Sequence, residues 1–152
     1  MSQGRRDFCK RVVSIAAYTG GLGAILPACG GSGGNSSIPG QPLPTINGTV
    51  VNGALTVAVS AASPLGAAGA MALVTSTAGN YLVARTAQDT FVAVSAACTH
   101  QSCVVSSSTG QNYVCPCHGS EFDTSGRVVV GPAVAPLARY NAQFSGGILT
   151  IT

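Results

Sequence analysis

Two short segments between residues 98 and 120 decide how this chain folds: residues 98–103 read CTHQSC and residues 115–120 read CPCHGS. Together they contain both histidines of the 152-residue chain and four of its six cysteines. Only 7% of all residues are charged, and the chain has no tryptophan. Such a concentration of metal-ligating side chains in an otherwise apolar sequence indicates a chemical site built from these two segments.

Each segment offers one cysteine and one histidine at close spacing. Cys98 and His100 are separated by one residue, and Cys115 and His118 by two. Two loops that each supply a thiolate and an imidazole can close on a small metal centre from opposite sides. Two alternatives use the same residues: a structural zinc ion held tetrahedrally by two Cys and two His, or an unrelated disulfide framework of the cysteines.

The two segments resemble the Rieske proteins, in which two histidines replace two cysteines on one iron of a [2Fe–2S] cluster. The resemblance implies one such cluster per chain. It further implies that Cys98 and Cys115 hold one iron and that His100 and His118 hold the other. The zinc alternative leaves the other two cysteines of the segments without a role.

Those two cysteines indicate one branch of the family. In the respiratory and photosynthetic branch a disulfide joins the two loops, which implies a bond between Cys103 and Cys117; Rieske oxygenases and their ferredoxins lack that pair. Residues 131–137, GPAVAPL, include Pro132 and resemble the proline loop that covers the cluster in that branch. The resemblance extends over about residues 48–152.

Three further positions are interpreted through the resemblance. Ser120 matches the family serine whose hydroxyl bonds a cluster sulfide, which stabilises the reduced state. Phe122 stands where the family has a tyrosine that donates a hydrogen bond to a cysteine sulfur, and phenylalanine cannot donate one. Gln101 stands where quinol-oxidising complexes have leucine at the apolar tip that docks near quinol, so its polar amide disfavours docking at a quinol site.

Residues 1–28 are predicted to be an export signal. Arg5 and Arg6, followed by Phe8 and a weakly hydrophobic run over residues 12–26, resemble a twin-arginine signal. That route carries folded proteins, so a cluster inserted in the cytoplasm can be exported intact. An ordinary signal helix with an accidental arginine pair is the alternative.

Cys29 is predicted to be lipidated, because residues 26–29, LPAC, resemble a lipoprotein cleavage box. The apolar run of about fifteen residues is shorter than the about twenty that a spanning helix needs. An uncleaved anchor and simple cleavage are the alternatives. Residues 29–45 are rich in Gly, Ser and Pro and are predicted to be a flexible tether.

Residues 46–152 are predicted to form an all-β domain, a small antiparallel Rieske-type sandwich or barrel with both cluster loops at one end. Apolar residues alternate over residues 55–59 and 91–94, and residues 140–152 read as a hairpin around two glycines. After Cys29, three arginines oppose two aspartates and one glutamate, so the domain is formally neutral. A nucleic-acid partner is therefore not expected.

A cluster held by four protein ligands leaves no position for a substrate, so the domain alone is not expected to be an enzyme. The first functional interpretation is a one-electron carrier in the bacterial cell envelope, tethered or soluble on the periplasmic side of the inner membrane. Its partners would be a periplasmic oxidoreductase or a cytochrome such as cytochrome c. The alternative is the Rieske subunit of a quinol–cytochrome c reductase, beside a cytochrome b-type quinol-oxidising complex. A structural zinc module is the remaining alternative.

Overall fold

The computed structural model describes Ile38 and residues 40–152. The predicted signal, Cys29 and most of the predicted tether lie outside the described residues. Within the described range the chain forms only β-strands, turns and irregular segments. None of its elements is a helix of the length and apolarity that crossing a membrane requires.

Fourteen short strands make up the described fold. In chain order they are β1 (Gln41–Pro42), β2 (Thr45–Asn47), β3 (Thr49–Val51), β4 (Ala54–Ala58), β5 (Met71–Ser76), β6 (Gly79–Ala87), β7 (Thr90–Ser95), β8 (Ser107–Ser108), β9 (Tyr113–Val114), β10 (Glu121–Phe122), β11 (Val128–Val130), β12 (Arg139–Tyr140), β13 (Ala142–Ser145) and β14 (Ile148–Ile151).

The strands form three sheets. Sheet A has the order β1-β8-β9-β10-β11, sheet B the order β12-β7-β6-β5-β2, and sheet C the order β13-β14-β4-β3. Every paired neighbour is antiparallel except β2 and β5, which run parallel. The predicted antiparallel all-β fold is confirmed, with this one parallel pair as an exception. Parallel neighbours need a crossover connection. The connection between β2 and β5 contains β3 and β4, which belong to sheet C.

Sheet B lies between the other two sheets, so its central strands are buried on both faces. Side chains that alternate along β5 and β6 enter different apolar cores. The core shared with sheet A contains Met71, Leu73, Leu82, Tyr113 and Phe122, among others. The core shared with sheet C contains Ala72, Val74, Val83, Leu55 and Leu149, among others.

The predicted C-terminal hairpin is present as β13 and β14. Gly146 and Gly147 join the two strands with φ values of 57° and 80°, the positive values that a tight two-residue hairpin turn requires. The fold begins before residue 46, because β1 pairs with β8 and Leu43 is buried. The last residues of the predicted tether therefore belong to the domain.

A turn after β10 is fixed by one carboxylate. An oxygen of Asp123 accepts hydrogen bonds from the Ser125 N–H and hydroxyl, at 2.8 and 2.6 Å, and from the Arg127 N–H at 3.0 Å. Burial alone would raise the pKa of Asp123, but these bonds, with the charge of Arg127, bring the pKa below its ordinary value.

Candidate metal centre

Loop 1, residues 98–103, leads out of sheet B after β7. The Cys98 N–H donates to the Cys103 carbonyl at 2.8 Å, and the Ser102 N–H donates back to the Cys98 carbonyl at 2.7 Å. Ser102 has a φ of 58°, a left-handed conformation that costs any residue with a Cβ about 1–2 kcal/mol. The loop is thus closed on itself by its own backbone.

Loop 2, residues 115–120, connects β9 to β10 and has the same closure. The Cys115 N–H donates to the Ser120 carbonyl at 2.8 Å, and the Gly119 N–H donates to the Cys115 carbonyl at 3.0 Å. Its fifth residue, Gly119, has a φ of 75°, which glycine adopts without a steric penalty. Each loop therefore presents its first cysteine from a rigid six-residue ring of backbone.

A disulfide joins the two loops. Cys103 and Cys117 are bonded, with 6.5 Å between their Cα atoms and a sequence separation of 14. The bond that the family resemblance implies is therefore present. It fixes the separation of loop 1 and loop 2 independently of any bound group.

Two free thiols lie on the inner side of the loops. Cys98 is 3% exposed and Cys115 is 1% exposed, and they are the free cysteines of the described residues. Burial raises the pKa of the Cys115 thiol, and the neighbouring Cys98 raises it further. The N–H groups of Cys117 and His118 oppose that rise because they face the Cys115 sulfur. A cation is needed to hold two thiolates side by side here.

The two imidazole rings lie together on the outer side. The ring centroids of His100 and His118 are 4.9 Å apart, and the rings are nearly perpendicular, at 86°. His118 is exposed and His100 is half-buried. The Nδ1 atom of His100 is buried, and no hydrogen-bond partner for it is found among the described residues.

The profile of the Rieske [2Fe–2S] domain matches residues 56–141, which is more than half of the chain. The chain belongs to the Rieske [2Fe–2S] family. Its all-β fold and its one-electron [2Fe–2S] chemistry are those of that family, as the sequence predicts.

Two similar relatives of this Rieske protein are cytochrome b6-f complex iron-sulfur subunits. The subunit of Prochlorococcus marinus (strain MIT 9515) is 35% identical over an alignment 152 positions long, and the alignment covers 90% of this chain and 78% of the relative. The subunit of Synechococcus sp. (strain WH7803) is 36% identical over an alignment 148 positions long, and the alignment covers 92% of this chain and 79% of the relative.

Solved structures of two further proteins resemble this Rieske protein. A chain of the complex of reduced oxygenase and oxidized ferredoxin in carbazole 1,9a-dioxygenase superposes with a TM-score of 0.50 at 24% identity, over 64% of this chain and 92% of that one. This likeness concerns the fold alone. The plasma membrane Rieske protein of Synechocystis PCC 6803 has a TM-score of 0.49 at 32% identity, over 54% of this chain and 85% of that one.

The cover loop of this Rieske protein, residues 131–137, is hydrogen-bonded to both loop 1 and loop 2. The Ala133 N–H donates to the Ser120 hydroxyl oxygen at 3.0 Å, in a fully buried contact. The Thr99 hydroxyl donates to the Ala135 carbonyl at 2.6 Å. Because Ser120 uses its oxygen as an acceptor here, its own hydroxyl proton is free to be donated to a sulfur atom of the site.

The residues of the site suit a [2Fe–2S] cluster. Two thiols are buried on one side, two rings lie on the other, and a ring nitrogen of His100 is buried without a partner. When bound, the cluster supplies one-electron transfer. In the described part of the chain, no three or more His, Cys, Asp or Glu side chains lie close enough together to hold a single metal ion.

Within the described residues, the structure brings the predicted site residues together. The four predicted ligands, the disulfide and Ser120 lie in loop 1 and loop 2; the ligand assignment itself stays a prediction. Gln101 is exposed on loop 1, Pro132 is exposed on the cover loop, and Phe122 is fully buried behind loop 2. Cys29 lies outside the described residues.

Two residues beside the site escape prediction from the sequence. Thr99 stands between two predicted ligands, but nothing in the sequence shows that its hydroxyl bonds the cover loop. Tyr113 is fully buried in the same core as Cys98 and Cys115, and burial raises its pKa well above the ordinary value. Its position two residues before Cys115 is the only signal that could have found it.

Proposed function

We propose that Cys98 and Cys115 bind one iron of the cluster, that His100 and His118 bind the other, and that the chain is an exported, membrane-tethered electron carrier. The observation that carries the ligand assignment is the convergence of two buried thiols and two adjacent rings on two loops closed in the same way. The twin arginines and Cys29 support export to the periplasmic side of the inner membrane and a lipid tether.

The electron enters and leaves on the histidine side. His118 is exposed, whereas Cys98 and Cys115 are buried beneath the loops. A partner that contacts the outer face therefore approaches the imidazole rings more closely than the thiolates. The cover loop adds Val134, which is 95% exposed, and Gln101 adds an amide to the same face.

The partner on this proposal is a periplasmic oxidoreductase or a c-type cytochrome. The domain that follows Cys29 is formally neutral, with three arginines against three acidic residues. Long-range charge therefore contributes little steering, and short-range contacts at the outer face select the partner. The polar Gln101 favours a protein partner over docking at a quinol site.

A second candidate is the iron–sulfur subunit of a quinol–cytochrome c reductase. The observation that favours it is the similarity, at 35% and 36% identity, to iron-sulfur subunits of the cytochrome b6-f complex. Purification from the membranes of the source cell in mild detergent separates the candidates. A co-purifying cytochrome b favours this second candidate, and a co-purifying soluble oxidoreductase or c-type cytochrome favours the carrier.

Electron paramagnetic resonance of the reduced protein tests the ligand assignment. Alanine replacement of any one of the four ligands is expected to abolish the Rieske signal, whereas Tyr140→Phe, on β12 outside both loops, is expected to leave it intact. A full-strength signal in His118→Ala would refute the assignment. The signal distinguishes a Rieske centre from zinc, which has no unpaired electron in its d¹⁰ shell.

Cell fractionation tests the export and the tether. Replacing Arg5 and Arg6 together by lysine is expected to keep the protein in the cytoplasm. Cys29→Ala is expected to release the mature protein from the membrane. Continued membrane attachment of Cys29→Ala would instead support an uncleaved anchor over residues 12–26.

A further inference from the structure

The hydroxyl of Tyr113 is buried and has no partner among the described residues. The side chain, on β9, is 0% exposed, and its oxygen makes no hydrogen bond to any described protein group. Buried tyrosines usually place their hydroxyl against an acceptor, because leaving such a group unpaired costs about 1–3 kcal/mol. The acceptor is therefore expected to be something that the protein binds.

Three observations connect this hydroxyl with the cysteine side of the site. Tyr113 belongs to the same buried core as Cys98 and Cys115. It precedes Cys115 by two residues, the spacing that puts two side chains of an extended segment on one face. No cysteine sulfur accepts from this hydroxyl, and the Met71 sulfur of the same core already accepts from the Ser108 hydroxyl. The acceptor is therefore expected among the sulfur atoms of the bound cluster.

The neighbour of Tyr113 across the sheet is Phe122. The two residues are direct partners in the antiparallel pair of β9 and β10, so their side chains point to the same face at close range. Both rings are fully buried. Phe122 stands where the family resemblance places a tyrosine that donates to a cysteine sulfur, so the missing hydroxyl and the unpartnered hydroxyl are on adjacent strands.

We propose that the Tyr113 hydroxyl donates a hydrogen bond to a sulfur atom on the cysteine side of the bound cluster, and so supplies from β9 the donor that Phe122 cannot supply from β10. The inference rests on the proposed ligation by Cys98 and Cys115. Tyr113 is on this basis a residue that tunes the centre. Its hydrogen bond is stronger when the sulfur carries more negative charge, so it favours the reduced protein.

The reduction potential of Tyr113→Phe tests the proposal. At a fixed applied potential, the ratio of reduced to oxidised protein is expected to fall about fivefold, which corresponds to about 40 mV for one electron. Tyr140→Phe, which removes an exposed tyrosine hydroxyl, is the matched control and is expected to leave the ratio unchanged. Phe122→Tyr added to Tyr113→Phe is expected to restore the ratio towards that of the native protein.

The paramagnetic signal separates this inference from the ligation on which it rests. If Tyr113→Phe keeps the full Rieske signal and also keeps the native potential, the hydroxyl does not bond the cluster and the proposal is wrong, while the ligation stands. If His118→Ala keeps the signal, the ligation itself is wrong.

A second variant covers the case in which Tyr113→Phe fails to hold a cluster. Site-specific replacement of Tyr113 by 3-fluorotyrosine keeps the ring and the hydroxyl and makes the hydroxyl a stronger donor. The reduced-to-oxidised ratio is then expected to rise at the same applied potential. An unchanged ratio in that protein overturns the proposal.

Discussion

Thr99→Val removes the hydrogen bond between loop 1 and the cover loop without changing the shape of the side chain. In the native protein the Thr99 hydroxyl donates to the Ala135 carbonyl across 36 residues of sequence, at 2.6 Å. The bond holds the cover loop against the loop that carries two predicted ligands, Cys98 and His100. Its loss is expected to make escape of the cluster easier.

The size of the effect follows from the exposure of the two partners. A net contribution of about 0.5–1.5 kcal/mol is typical of one hydrogen bond. Thr99 and Ala135 are both exposed, so water replaces the lost donor and the lower part of the range applies. A loss of about 0.5–1 kcal/mol corresponds to about a 2- to 5-fold faster release.

The assay follows the visible absorbance of the cluster at constant temperature in the presence of an iron chelator. The first-order rate of bleaching is compared among the native protein, Thr99→Val and Thr99→Ser, which keeps the hydroxyl and is expected to bleach at the native rate. Equal rates for Thr99→Val and the native protein would refute the reasoning. A Thr99→Ser protein as labile as Thr99→Val would show that packing of the methyl group, which serine lacks, matters in addition to the hydroxyl.

Three further predictions concern the surroundings of the site. Ser120→Ala is expected to lower the reduction potential by about 40 mV, the equivalent of about 1 kcal/mol for one electron. Spectroelectrochemistry at one pH measures the shift, and an unchanged potential would contradict the prediction. Cys103→Ser is expected to lower the free energy of unfolding by about 3 kcal/mol, since the bond to Cys117 closes a loop of about 15 residues; two free thiols in the native exported protein, found by mass spectrometry, would remove that basis. The pKa of Asp123 lies below its ordinary value, so its contribution to stability is fully present above about pH 3.9 and is lost as the pH falls through the folded-state pKa. Asp123→Asn should therefore approach the native stability on acidification, as urea unfolding between about pH 2 and about pH 6 measures, and a constant difference would contradict the assignment.

The site was predictable from the sequence because its chemistry is local. Two six-residue segments contain all the predicted ligands and the disulfide, and their order along the chain is enough to recognise them. The C-terminal hairpin was predictable for a similar reason, because Gly146 and Gly147 mark its turn between two alternating strands.

The rest of the fold depends on distant contacts. Residues 71–74 read MALV, a continuous apolar run whose strand structure is decided by burial on both faces of sheet B. The parallel pairing of β2 with β5 joins segments separated by the whole of β3 and β4. The environment of Tyr113 likewise depends on residues that come together only in the folded sheet.

The site lies where sheet A meets sheet B, and this has a consequence for how the protein is assembled. Strands of sheet A contain two or three residues each, whereas β6 contains nine. Such short strands are marginal on their own, so sheets B and C are expected to form first around their shared core. Sheet A is then expected to close over loop 1 last, so that the site is open while iron and sulfide are inserted. Amide hydrogen exchange in the metal-free protein is accordingly expected to be fast in β8–β11 and slow in β5–β7.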